Sequence, residues 1–330
     1  MASALAALAL LSCTPEDKAP ERIWVPEHFP TPHFNFAGQF PSEEEISLGR
    51  KLFYDPILSL DSSISCANCH SQPHAFADHN MPFSFGVGGA QGSRNAPGLF
   101  NLAWHESFMH DGGINHLELV PMAPITDERE MNLPLVEALK RVAQNSDYSA
   151  AFDEVYGGDT ITTERLFKAL TAFQLSLVSA TAKYDKVMLG ESDFSPLEEQ
   201  GYDLFMESCA SCHAPPLFSD FSYANNGLDS VFTDPGRGGI TLQPQDSGLF
   251  KVPSLRNAML TYPFMHDGRF TSMDQVLDHY ATLHLSDAAM DSRLENLVIN
   301  EQDKDALKTF LETLTDYEFI SDLRHSEPAE

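Results

Sequence analysis

Two short stretches of the chain carry the residues most suited to chemistry: Cys66-Ala-Asn-Cys69-His70 and Cys209-Ala-Ser-Cys212-His213. The C-x-x-C-H pattern reads as covalent attachment of a c-type haem. The two thiols form thioether bonds to the vinyl groups on one edge of the porphyrin. The adjoining imidazole then lies under the ring and binds the iron as proximal ligand. Four of the chain's five cysteines are used in this way, so two covalently bound haem c groups are expected. The rival readings are a zinc site of thiolates and imidazoles and a thioredoxin-like redox pair. Against zinc, the two pairs are far apart in the chain and each has its own histidine. Against a thioredoxin, no βαβ pattern surrounds either pair. Haem attachment also requires an exported location.

Each motif needs a scaffold, and the flanking sequence supplies one twice. Ser42-Glu43-Glu44-Glu45 precedes the first motif and Ser195-Pro196-Leu197-Glu198 the second. Each reads as a helix opening on a serine N-cap with an acidic first turn. After the motifs come Arg94-Asn95-Ala96 and Arg256-Asn257-Ala258, then Phe108-Met109-His110-Asp111-Gly112 and Phe264-Met265-His266-Asp267-Gly268. A whole haem domain is repeated. Apolar residues at helical spacing predict helices over 164–178, 272–284 and roughly 302–316, the second opening on a Ser272/Gln275 capping box. The Gly-, Pro- and Asn-rich stretches 71–98 and 214–255 read as loop. The expected fold class is mainly α: two cytochrome c-like haem domains related by internal duplication, with long loops and little strand. Their expected spans are 41–185 and 186–330, after a linker over 14–40.

The 330 residues include 48 Asp and Glu against 20 Lys and Arg, a formal net charge of -28. That balance argues against a nucleic-acid partner, whose phosphates need a basic footprint. It suits attraction of a cationic soluble partner, or serves solubility alone. Residues 1–13 read as a signal peptide, too short to span a bilayer as a mature helix. The run ends in Leu10-Leu11-Ser12-Cys13, which resembles a bacterial lipobox, so lipidation at Cys13 is expected. An ordinary signal peptide or a buried helix is the alternative. No basic residue precedes the apolar run, so a start further upstream is expected. The expected location is the periplasm, anchored to a membrane as a lipoprotein.

From about residue 40 onward the chain resembles the bacterial di-haem cytochrome c peroxidases and their MauG-type relatives. The resemblance rests on the two haem motifs, Arg94-Asn95-Ala96-Pro97, both His-Asp-Gly segments, Glu130-Met131-Asn132, Phe173-Gln174-Leu175-Ser176-Leu177-Val178 and Tyr184-Asp185-Lys186. It implies that the N-terminal haem reacts with peroxide and that the C-terminal haem passes electrons to it. His70 would be the proximal ligand of the first iron and His213 of the second. Glu130 matches the acid/base of the peroxide pocket, moving a proton from one peroxide oxygen to the other. Asn95, Thr261 and Pro263 match the positions that hold a calcium ion between the domains, the last two through carbonyl oxygens.

The chain departs from the peroxidase pattern in three places. The loop that carries an iron-capping histidine in those members is here Ser84-Phe85-Gly86-Val87-Gly88-Gly89, while His74 and His79 lie off the motif. The first haem is therefore expected to be five-coordinate and open. The sixth ligand of the second haem is a methionine in those members, fourteen residues past the histidine of the second His-Asp-Gly; here that position holds Tyr280, as in MauG-type members. A tyrosinate favours the ferric state and lowers the potential, whereas methionine raises it. The tryptophan relay expected before the first Asp-Gly is replaced by His110, with Trp104 six residues earlier as the other candidate.

The expected function is reduction of hydrogen peroxide to water by a di-haem peroxidase, with electrons from a small cytochrome c or copper protein. One alternative is a MauG-like oxidase that modifies residues of a partner protein, although Val120 stands where MauG-type members carry glutamine. A non-enzymatic electron carrier is the other, opposed by the missing loop histidine. A homodimer is the expected assembly.

Overall fold

A computed structural model describes residues 23–37, 40–158, 160–283, 290–295 and 297–329. Cys13 and the rest of the lipobox lie outside them. The first half contains α1 (Glu43–Tyr54), α2 (Cys66–Cys69), α3 (Met122–Thr126), α4 (Leu135–Gln144), α5 (Ser146–Tyr156) and α6 (Thr163–Ser176). The chain continues through α7 (Lys183–Met188), α8 (Pro196–Ser208), α9 (Arg237–Thr241), α10 (Met273–Ala281), α11 (Glu301–Glu312) and α12 (Tyr317–Ser321). Strand is confined, among the described residues, to an antiparallel ribbon of β1 (Tyr223–Ala224) and β2 (Phe250–Lys251). The fold is mainly α.

The helices that lead into the haem motifs start as their serines dictate. Ser42 and Glu45 form a reciprocal capping box on α1, and Ser195 and Glu198 form one on α8. Such a box satisfies two donors that a helix start otherwise leaves unpaired.

Both helices then cross a later helix at a glycine. A β-carbon on Gly49 would lie 1.9 Å from the carbonyl oxygen of Ala169 in α6, and one on Gly201 would lie 2.0 Å from that of Ala306 in α11. Phe173 and Phe310, four residues past those alanines, are fully buried at the two crossings. Because the obstruction is backbone, no side chain can rotate away. Gly49→Ala and Gly201→Ala are each expected to destabilise the fold by about 1–3 kcal/mol of overpacking. That outweighs the helix-propensity gain of about 1 kcal/mol. Denaturant titration checks this: an unchanged or raised midpoint would mean that the helix pairs separate without cost.

The duplication extends to the backbone. Asn101 and Asn257, Met109 and Met265, and Gly112 and Gly268 all have positive φ, with values of 56° and 57°, 68° and 72°, and 67° and 65°. Asn101 N donates to Leu177 O at 2.8 Å and Asn257 N to Leu314 O at 3.0 Å. The structural counterpart of Asn257 is therefore Asn101, and not Asn95 as the shared Arg-Asn-Ala letters suggest. The helices predicted over 164–178 and 302–316 stop at Ser176 and Glu312, and just beyond those ends the carbonyls of Leu177 and Leu314 serve the asparagines. The two asparagines meet at buried Ser179, where Asn101 Nδ2 donates to its carbonyl at 2.9 Å and Asn257 Nδ2 to its hydroxyl at 3.0 Å.

Further contacts tie the halves together. The 185/186 division falls inside α7, where Asp185 accepts both arms of Arg256 at 2.6 and 2.8 Å, all fully buried. His28, on the segment 23–37, reaches the same carboxylate at 3.0 Å. At the other end α12 returns to the first half, where Phe319 packs on Phe76 and Phe100.

Candidate active site

The two C-x-x-C-H segments adopt the same turn. His70 N donates to Cys66 O, and His213 N to Cys209 O, each at 2.9 Å. The thiols are unpaired. Burial pushes Cys66 and Cys209 up to about 12 and Cys69 up to about 11, and it raises Cys212 as well. These are neutral thiols, suited to become neutral thioethers. Among the described residues no three His, Cys, Asp or Glu side chains converge as a metal cluster.

Each histidine is aimed by its Nδ1 atom. That of His70 pairs with Phe76 O at 2.7 Å; that of His213 lies 3.3 Å from Phe218 O and 3.1 Å from Pro253 O. Phe76 and Phe218 both adopt left-handed backbone, with φ of 58° and 55°, which turns their carbonyls onto the rings. Among the described residues neither Nε2 is engaged in a hydrogen bond, the orientation an iron ligand needs. Burial holds both rings below the ordinary histidine range, so they stay neutral, as ligation requires. The residues present fit two haem c groups.

The surroundings of the two motifs differ. Glu130 lies close enough to Cys66 and Cys69 for its charge to be felt by both. Its own carboxyl is raised by burial first and by the charge of Asp127 second, with Arg129 opposing. The histidine-free loop at Ser84–Gly89 packs on it: Val87 N donates to Glu130 O at 2.8 Å, and a β-carbon on Gly86 would lie 2.3 Å from that oxygen. Glycine at 86 is therefore a steric requirement of the pocket, which no spacing in the sequence announces. His74 and His79 stack on each other at 3.7 Å, with Tyr262 against the edge of His79.

Tyr280 stands in the last turn of α10 and is close to Cys209 and Cys212. Burial pushes its phenol up, and a hydrogen bond with the Asn226 side chain acts in the opposite direction. Asn226 is held in turn by His279 Nε2, 3.0 Å from its carbonyl. Asn226 was not legible in the sequence, because a loop 53 residues from His279 supplies it.

Asn95 joins the two His-Asp-Gly loops. Its N donates to His266 O and its O lies against His110 Nε2, both at 2.8 Å, while Nδ2 donates to Met81 O at 3.0 Å. It thereby reaches the loop that carries Thr261 and Pro263. His110 is half-buried in this seam, and the loss of water around its ring pushes it down to about 4. Trp104 is packed elsewhere, under the 23–37 segment, with Nε1 on Pro30 O at 2.7 Å and Phe29 at its edge. Val120 packs against the cluster around Leu117 and Trp104.

Comparison with known proteins gives four findings. The family model for the di-haem cytochrome c peroxidases matches residues 43–193. The methylamine utilization protein MauG of Methylorubrum extorquens is 33% identical over 300 residues, covering 89% of this chain and 83% of that protein. The cytochrome c551 peroxidase of Nitrosomonas europaea is 32% identical, covering 81% and 79%. Among solved structures, a MauG-like protein associated with microbial copper homeostasis superposes with a TM-score of 0.85 at 29% identity, covering 92% of this chain and 98% of that one.

Proposed function

Because the chain belongs to the di-haem cytochrome c peroxidase family, with MauG among its relatives, we propose a division of labour between an open first site and a closed second one. The protein is an oxidoreductase that acts on peroxide. Hydrogen peroxide, two electrons and two protons give two waters. Haem, when bound, supplies the iron at which the O–O bond is cleaved and the path for electrons.

The residues supply the rest. Cys66, Cys69 and His70 would hold the first haem; Cys209, Cys212 and His213 would hold the second, with Tyr280 as a further ligand to its iron. Glu130 accepts a proton from one peroxide oxygen and returns it to the leaving oxygen. Gly86 lets the loop close onto the Glu130 backbone, which any side chain there would strike. His110 lies in the seam between the sites and is the better-placed relay; Trp104 serves packing. A calcium ion held by Asn95, Thr261 and Pro263 would brace that seam. Electrons come from a small cytochrome or copper protein, and a net charge of -28 steers a cationic one. Export and anchoring through Cys13 place the enzyme in the periplasm.

The observation that carries this reading is the asymmetry: a half-buried carboxyl lies near the first motif's thiols and a half-buried phenol near the second's. The test is steady-state turnover of peroxide with reduced cytochrome c. Sustained oxidation of the cytochrome, dependent on peroxide, is expected. A MauG-like oxidase is the second reading, favoured by Tyr280. It would give no sustained cytochrome turnover but a peroxide-dependent change on a partner protein.

A further inference from the structure

Lys251 lies in β2, directly across from Tyr223 in β1. Its ammonium donates to Ser107 O at 2.7 Å and lies 3.5 Å from His105 Nδ1. Tyr223 OH lies 2.5 Å from Ser107 Oγ, so both residues of the cross-strand pair reach the same serine. Among the described residues no carboxylate lies within ion-pairing distance of the ammonium. Asp111 is the acid whose charge it feels, and Asp111 is already paired with Arg94. Burial accordingly pushes Lys251 down to about 8. Arg256, Arg94 and Lys304 have their anions, in Asp185, in Asp111 and Asp234, and in Asp278 and Glu301, while Arg237 beside the same ribbon is met by the carbonyls of Asp111 and Gly112 and by the Tyr223 ring.

Lys251 as a whole is half-buried, but its ammonium sits among Ser107, His105 and Phe108, and an ammonium drawn out of water without an anion is seldom retained. A second donor on the same ribbon is unused as well. Asn225, two residues past Tyr223, is 2% exposed, and among the described residues its Nδ2 has no hydrogen-bond partner. The ribbon also frames the second haem site. Pro253, two residues past Lys251, offers its carbonyl to His213 Nδ1, and Asn226 hydrogen-bonds Tyr280. The anion missing from this place must be one that arrives with the second site's own cofactor. Haem brings two propionates, on the edge opposite its thioether bonds.

We infer that Lys251 binds a propionate carboxylate of the haem attached at Cys209 and Cys212, with Asn225 as an additional donor. This rests on haem attachment at that motif. A cation held against the macrocycle favours the reduced, less positive state of the iron.

The experiment uses the holoprotein, with both covalent haems verified by mass. Lys251→Gln and Lys251→Arg are compared by redox potentiometry and by the resonance Raman bending band of the propionates. Lys251→Gln is expected to lower the midpoint potential of the second haem and shift its propionate band. Lys251→Arg is expected to restore the potential. Unchanged potentials and an unchanged band in Lys251→Gln would overturn the inference, as would a shift confined to the first haem. If Lys251→Gln does not accumulate as holoprotein, Lys251→Arg decides alone, because a longer, planar cation must move the band of a propionate it touches. Absence of haem from the wild-type second motif would overturn both the inference and the cofactor assignment, and mass reads that separately.

Discussion

Replacing Glu130 with glutamine is expected to lower kcat/KM for peroxide by about 10²–10⁴, the usual contribution of a positioned acid–base group. The substitution preserves shape and burial, so the Val87 hydrogen bond to the residue 130 carbonyl is retained. What is lost is the ability to accept a proton. The same group fixes the acid side of the pH profile. Glu130 must be ionised to accept the peroxide proton, so activity falls as pH drops through its pKa. Burial and Asp127 raise that pKa, which places the limb above the ordinary glutamate range. A pH–rate series on wild type and Glu130→Gln checks both points. The limb should vanish in the variant, and persistence of an identical limb would assign it to another group.

The second large effect is at Tyr280. Tyr280→Phe keeps the ring that packs at the end of α10 but removes the oxygen, so the second haem should lose its sixth ligand and become high-spin. Tyr280→Met should keep a sixth ligand and raise the potential. Axial ligand identity spans haem potentials on the order of 0.8 V across proteins, so a shift of hundreds of millivolts is in scale. Capping of α10 by Ser272 and Gln275 and burial of Met273 and Leu277 are untouched by either change. A low-spin spectrum that survives Tyr280→Phe would mean that another side chain closes the second iron.

What the sequence made legible was chemistry that must be contiguous. Thioether attachment needs two thiols and an imidazole within five residues, so both haem motifs stand out. The capping boxes are legible for the same reason, as are the amphipathic helices. Glu130 and Tyr280 became visible only through family resemblance, since each meets its motif across a long loop. Contacts without local spacing stayed hidden. Gly86 is dictated by a backbone 44 residues away, Asn226 by α10, and Lys251 by a serine of the other half. The repeat is legible in the sequence, but its register is not, because Arg94-Asn95-Ala96 imitates Arg256-Asn257-Ala258. The left-handed backbone of Asn101 and Asn257, with matched hydrogen bonds to Leu177 and Leu314, sets the register that three shared letters obscured. Stretch 214–255 reads as loop from its composition, yet it holds β1, β2 and α9, because pairing of Tyr223 with Lys251 is decided by the partner strand.

The claim that organises all of this is that the two haem sites are unequal. Its most direct test is the electronic absorption and electron paramagnetic resonance spectrum of the resting, fully oxidised protein. One high-spin ferric haem at the His70 site and one low-spin ferric haem at the His213/Tyr280 site is the predicted result, with the high-spin signal alone responding first to added peroxide. Two low-spin haems at rest would contradict it.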